Sequence, residues 1–233
     1  MDDLNTQEFE GEHDEEGVYV YQAYCNEIAD WAIEHQKFGG PIFKAQRMTW
    51  IKPSFARVLY RSGYAMKHNQ ERVLKIKLSH KSIAQILEQC SCKHGGGGSF
   101  GRVQWDPARD LMSSVDNEPR KMLRRRSIQI GIKGHLSELY VSSALSIQDV
   151  TPLAHLVGIS HNVLISKDKI IMKKKNKKEK LSNMINEISF LSQLPTETMY
   201  LPNCKKETLM NLGLMPGETA NKIAGIGRGG IHY

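Results

Sequence analysis

The chain is short of the features that announce the commonest function classes. Its 233 residues contain four cysteines, Cys25, Cys90, Cys92 and Cys204. These are too few and too scattered to frame a disulfide scaffold, which favours a reducing compartment. The string "CSCKH" could begin a metal site, but no second Cys/His pair at finger spacing completes four ligands, so its thiols read as ordinary ones beside a loop. No run of about 18 apolar residues is present, and the first 16 residues lack the basic and apolar regions of a secretory signal. The chain is therefore expected to be soluble and intracellular, cytoplasmic or nuclear. The nine histidines offer no HExxH, there is no GxxxxGK[ST], and no Ser/His/Asp order is recognisable, so hydrolase and P-loop readings gain no support. Gly225, Gly227 and Gly230 formally match GxGxxG. No helix follows them to receive a pyrophosphate, and residues 215–233 read as a Gly-rich tail.

What the chain has instead is unevenly placed charge. Residues 1–16 carry eight acids and no Lys or Arg, leaving the remaining 217 residues with 32 basic and 17 acidic side chains, a formal +15. The first segment has the composition of a disordered acidic leader. The rest favours an anionic partner, a nucleotide or nucleic acid, over simple solubility, which needs less charge. Residues 167–180 hold eight lysines and two acids. They read either as a nuclear-import or nucleic-acid patch or as a solvated basic insertion.

Between these segments strands and helices alternate without a regular βαβ beat. The expected fold is a single α+β domain over residues 17–214, a mixed or split antiparallel sheet flanked by helices. "GVYVYQAY" reads as a strand. "NEIADWAIEHQKFGGP" reads as a helix capped by Asn26 and stopped at Gly39 to Pro41. Residues 42–52 read as extended, "SFARVLYRSG" as a helix ended by Gly63, "ERVLKIKLS" as a strand with Leu74, Ile76 and Leu78 on its buried face, and "KSIAQILEQC" as an amphipathic helix. "GGGGS" is a spacer. "RVQWDPARDL" and "RRRSIQIGIKG" read as two further strands, "HLSELYVSSAL" as a helix, and "IQDVTPLAHLVG" as a turn at Asp149 followed by an apolar helix.

Three clusters could carry chemistry. In "RMTWIKPSFARVLYRSGY" strand alternation puts Met48, Trp50 and Lys52 on one face and Thr49 and Ile51 on the other. Trp50 beside Lys52 offers a stacking surface with a cation next to it, and Arg57 and Arg61 stand one helical turn apart. The alternative is an aromatic core with Lys52 and the arginines reaching water along their alkyl stems. In "RVQWDPARD", Arg102, Gln104 and Asp106 share a face opposite Trp105, although Asp-Pro is also an ordinary turn start. In "RRRSIQIGI", Arg126 alternates with Ser127, and Gln129 is the polar residue at an apolar strand centre. Gln129 either contacts a ligand or faces solvent on an edge.

The strings "VYQAYCNEIADWAI", "RMTWIKPSFARVLYRSGYAMKHNQERVLKIKL", "RVQWDPARDL", "RSIQIGI" and "IQDVTPLAH", with "LPTETMYLP" and "LMNLGL" more weakly, resemble the domain of unknown function 4291 family over residues 17–214. The leader, the "GGGGS" loop, the lysine run and the tail look like additions to that pattern. The order of the first elements is also similar to an ADP-ribosyltransferase-type split β fold, which binds NAD between its first strands. That likeness implies that Tyr21 or Gln22, with Trp50, Lys52 and Ser54, line an NAD cleft. It also implies that Gln129 stands where many such enzymes carry Glu, although a neutral amide cannot act as a carboxylate base. The resulting candidates for chemistry are Gln22, Lys52, Asp106 and Gln129. Those for ligand binding are Tyr21, Arg47, Trp50, Ser54, Arg61, Arg102, Gln104 and Arg126, with Arg47, Lys52 and Arg61 on phosphates. NAD is the cofactor considered, no metal ligand is assigned, and oligomeric state is left open. The alternatives are a non-catalytic RNA- or DNA-binding module and a protein-interaction scaffold.

Overall fold

Alternating residues in the two longest apolar strands dictate the layering of the molecule. In the computed structural model, which describes residues 7–92, 100–111, 122–170 and 192–214, strand β3 (Gly17–Tyr24) pairs antiparallel with β5 (Arg72–Ser79) over its whole length. Val18, Val20, Leu74, Ile76 and Leu78 then fall on one face and are fully buried. The edge strand β9 (Ala144–Asp149) completes this three-stranded sheet beside β5.

A second, mixed sheet holds β1 (Gln7–Glu8), β4 (Thr49–Ile51), β6 (Cys90–Ser91), β7 (Gly101–Arg109) and β8 (Met122–Ile132). β4 and β7 both pair antiparallel with β8, whereas β1 joins β8 and β6 joins β7 in parallel. The two sheets meet where Tyr21 and Lys52 exchange backbone hydrogen bonds of 2.6 and 3.1 Å. Helices α1 (Asn26–His35), α3 (His80–Leu87) and α4 (His135–Ser143) contribute to one main core with the inward faces of both sheets. On the opposite face, α2 (Phe55–Ser62) and α5 (Thr151–Ile170) build a smaller core around Tyr21, Phe55, Val58, Leu59, Ala154 and Val157. The ribbon β2 (Glu10–Gly11) with β10 (Thr198–Met199), and α6 (Lys206–Leu212), complete the described chain. The fold is thus α+β, with a mixed sheet flanked by helices, and among the described residues no helix is long and apolar enough to cross a membrane.

Several local expectations change. Helix α1 has Cys25, not Asn26, at its N-cap. It ends before the glycines, at a left-handed Gln36 whose side-chain amide bonds both the N–H and the C=O of Ile147 and so ties the helix end to β9. Strand β9 replaces the expected end of a helix and turn. Only Ile147 of its six residues is buried, so its local pattern is weak and its pairing with β5 decides its conformation.

The leader changes most. Residues 7–16 are not disordered: Phe9 is buried, and Glu10, Glu12, Asp14 and Glu16 pair with Arg125, Lys75 and Lys77 from the body of the chain. Residues 1–6, the "GGGGS" spacer, the lysine run from residue 171 and the Gly-rich tail lie outside the described residues.

Candidate functional site

Register places a polar strip on the α2 side of the second sheet. Trp50 stands opposite Gly131 across β4 and β8, and across β7 and β8 the pairs are Arg102 with Gly131, Gln104 with Gln129, and Asp106 with Ser127. Lys52, two residues beyond Trp50, continues the strip. The alternate residues Ile51, Val103, Ile128, Ile130 and Ile132 are buried in the main core on the reverse face. Gly131 makes this possible at one point, because a Cβ there would come within 2.9 Å of the Trp50 ring, which lies directly on the glycine. The two glutamine side chains satisfy each other, Gln129 Nε2 donating to Gln104 Oε1 at 2.9 Å.

Helix α2 covers the strip from Asp106 to Lys52. Gly63 ends the helix in the left-handed region at φ 59°. Its buried Arg57 pairs with Asp106 and donates to the Pro107 carbonyl at 3.2 Å, fixing the helix on β7. Strand β7 runs on past Pro107 with a register shift rather than turning at Asp-Pro. The Arg109 guanidinium sits 3.8 Å from the centre of the Tyr60 ring, and Arg61 lies exposed one turn beyond Arg57.

Lys52 is the anomaly of this face. It is 7% exposed, so its charge is held in the protein and does not snorkel to water. Its ammonium donates to the Trp50 carbonyl at 3.2 Å, and among the described residues no carboxylate lies within ion-pair distance. Burial, then the positive charges of Arg57 and Arg61, push its pKa down to about 8, against a weaker pull from Asp106. An ammonium has three donors, and a neutral carbonyl engages one. Nearby on the strip, the buried Nε of Arg102 has no hydrogen-bond partner among the described residues.

The candidates therefore divide. Trp50, Lys52, Arg102, Gln104, Asp106 and Gln129 share one face, and Arg61 reaches it from α2. Gln22 does not belong with them. It is in phase with Val18, Val20 and Tyr24, and inside the main core it donates to Thr49 Oγ1 at 2.5 Å and accepts from the Tyr140 hydroxyl at 3.1 Å. Arg126 is one residue out of phase with Ser127 and Gln129 and so lies on the opposite face. Tyr21 is on the α2 side but 1% exposed, with its hydroxyl given to Glu12 at 2.8 Å. Ser54 is the buried N-cap residue of α2, and Arg47 is exposed in the turn preceding β4.

Two contributors escaped the sequence reading. Ser127 shares the phase of Gln129 but is not among the site candidates, because its place opposite Asp106 shows only in the β7–β8 register. Glu197 accepts the Phe55 N–H at 2.6 Å from 142 residues away, and burial pushes its carboxyl up to about 7.

Chemically the strip can hold an anion against Lys52 and Arg61, present a flat aromatic surface at Trp50, and offer amide edges at Gln104 and Gln129. It offers no spare carboxylate, since Asp106 is committed to Arg57, and the described residues contain no group of three or more potential metal ligands. No curated protein matches the chain. The family model for the domain of unknown function DUF4291 matches residues 8–181, which takes in part of the acidic leader and the lysine run that looked like additions to the pattern. With three quarters of its length inside that match, the chain belongs to the DUF4291 family.

Proposed function

We propose that the polar strip under α2 binds the phosphate of a nucleotide. Lys52 and Arg61 take the charge, Trp50 stacks the base or nicotinamide ring, and Arg102, Gln104 and Gln129 read hydroxyls or amide edges. The single observation that carries this is Lys52, a cation kept in the protein with no carboxylate partner among the described residues. Retaining it costs stability that an apolar side chain of the same length would not, and a ligand anion supplies the missing partner. NAD belongs among the ligands on the same grounds. An ADP-ribosyl transfer gains less support, because Gln129 is neutral and paired with Gln104, so the strip favours binding over general-base chemistry.

The test is calorimetric titration of ADP, ATP and NAD into the full chain and a Lys52→Met variant. Saturable binding that weakens roughly 10- to 100-fold in the variant is the expected result, as for the loss of a charge-assisted hydrogen bond. Equal affinity in both proteins would overturn the proposal. A second reading, sequence-independent RNA or DNA binding, is favoured by the formal +15 outside the first 16 residues. It predicts affinity spread over many cations and falling steeply with salt.

A further inference from the structure

Helix α2 is the element that brings Arg57 and Arg61 to the strip, yet its N-terminus is not secured by its own sequence. Ser54 occupies the N-cap position without a side-chain cap bond, leaving first-turn N–H groups in need of an acceptor. Glu197 supplies one, its Oε1 accepting from Phe55 N–H at 2.6 Å, with the Ser54 hydroxyl beside the same carboxylate.

The segment carrying Glu197 is itself anchored. Thr198 and Met199 pair with Gly11 and Glu10, the Tyr200 N–H donates to the Phe9 carbonyl at 2.7 Å, and the Tyr200 hydroxyl meets His80 Nδ1 at 2.9 Å. Glu10 on β2, Arg125 on β8 and Tyr21 on β3 are the charged and titratable groups around the carboxyl. Glu197 and residues 198–200 lie beyond residue 181, where the DUF4291 match ends, whereas the partners that anchor them, Phe9, Glu10, Gly11 and His80, lie within it.

We infer that Glu197 is a positioning residue for the strip, a carboxylate clamp outside the matched family region that holds the first turn of α2 and thereby sets Arg57 and Arg61 against Lys52. The inference rests on the nucleotide-binding reading of that strip. It differs from ordinary helix capping in its reach. The clamp joins the β2–β10 ribbon to the helix, so loosening either end disturbs the guanidinium groups at the other.

The experiment compares Glu197→Ala and Glu197→Gln in the full chain, with hydrogen exchange across residues 55–58 and titration with ADP. The alanine variant is expected to exchange about tenfold faster in that turn, as for the loss of one hydrogen bond to a charged group, and to bind ADP several-fold more weakly. Glutamine keeps an acceptor oxygen and is expected to restore both readouts. Wild-type exchange and affinity in the alanine variant would overturn the inference. If the alanine variant fails to fold, the glutamine variant decides, and fast exchange or weak binding there overturns the hydrogen-bond clamp. If the wild type binds no ADP, the site reading fails by itself, and the exchange rates of the first turn still judge the clamp.

Discussion

Lys52 and the lysines of β5 show two ways of holding a cation on the same side of the molecule. Lys75 pairs with Glu12 at 2.7 Å and lies 4.2 Å from the centre of the Tyr19 ring, while Lys77 is shared between Asp14 and Glu16. The acids that pair them come from the N-terminal segment, and they raise the pKa of Lys77 above its ordinary value. Lys52, bridged through the backbone to Tyr21 in the neighbouring strand, receives none of these acids, and its pKa moves the other way. The chain thus has acids at hand and sends them to the lysines of β5. Among the described residues, the lysine beside tryptophan, arginine and paired glutamines has a backbone carbonyl and no acid.

The sharpest test of this contrast is the same substitution at both positions. Lys52→Met should lose nucleotide affinity roughly 10- to 100-fold and yet gain stability of roughly 1–3 kcal/mol, because it removes a buried cation and leaves behind no unpaired charge, only the Trp50 carbonyl. Lys75→Met should do the reverse: unchanged affinity, and a loss of about 1–2 kcal/mol as Glu12 loses its cation in a mostly covered position and keeps the Tyr21 hydroxyl. Denaturant unfolding of the two variants reads the sign directly, and a shared sign would break the comparison.

A smaller effect should appear with pH. In the folded protein Lys52 titrates near 8 rather than at its ordinary 10.5. Between those values the unfolded chain holds a proton that the folded chain has released, so this group makes stability rise with pH across that window. Its cost is fully present below pH 8. The stability advantage of Lys52→Met over wild type should therefore shrink between pH 8 and 10.5, while nucleotide affinity of the wild type falls as pH passes about 8. An advantage constant across the window would show that the ammonium is not strained by burial. The smallest effect is expected at Lys77→Met, where an exposed pair of acids loses its cation. Its melting temperature should approach the wild-type value as salt is raised.

How far the sequence discloses this arrangement depends on how local each cause is. The alternation in "ERVLKIKLS" and the phase of Trp50 and Lys52 are local properties, and both were readable. The phase of Gln22 was equally readable, since it alternates with Val18 and Val20. Its chemistry as a core hydrogen-bonding group was not, because Tyr140 lies 118 residues away. The ordered leader was hidden for the same reason: acids that look solvated in composition meet Lys75 and Lys77 only after β3 and β5 have paired. Strand β9 and Glu197 are likewise products of pairing between distant segments.

The contact of Trp50 with Gly131 also makes this molecule its own optical probe. Of the three tryptophans, Trp31 is stacked on His35 with ring centres 4.1 Å apart, and Trp105 donates from the reverse face to the Leu212 carbonyl at 2.9 Å. Trp50 alone borders Lys52, so the emission lost on changing Trp50 to phenylalanine isolates a signal whose colour and intensity follow whatever settles over that strip.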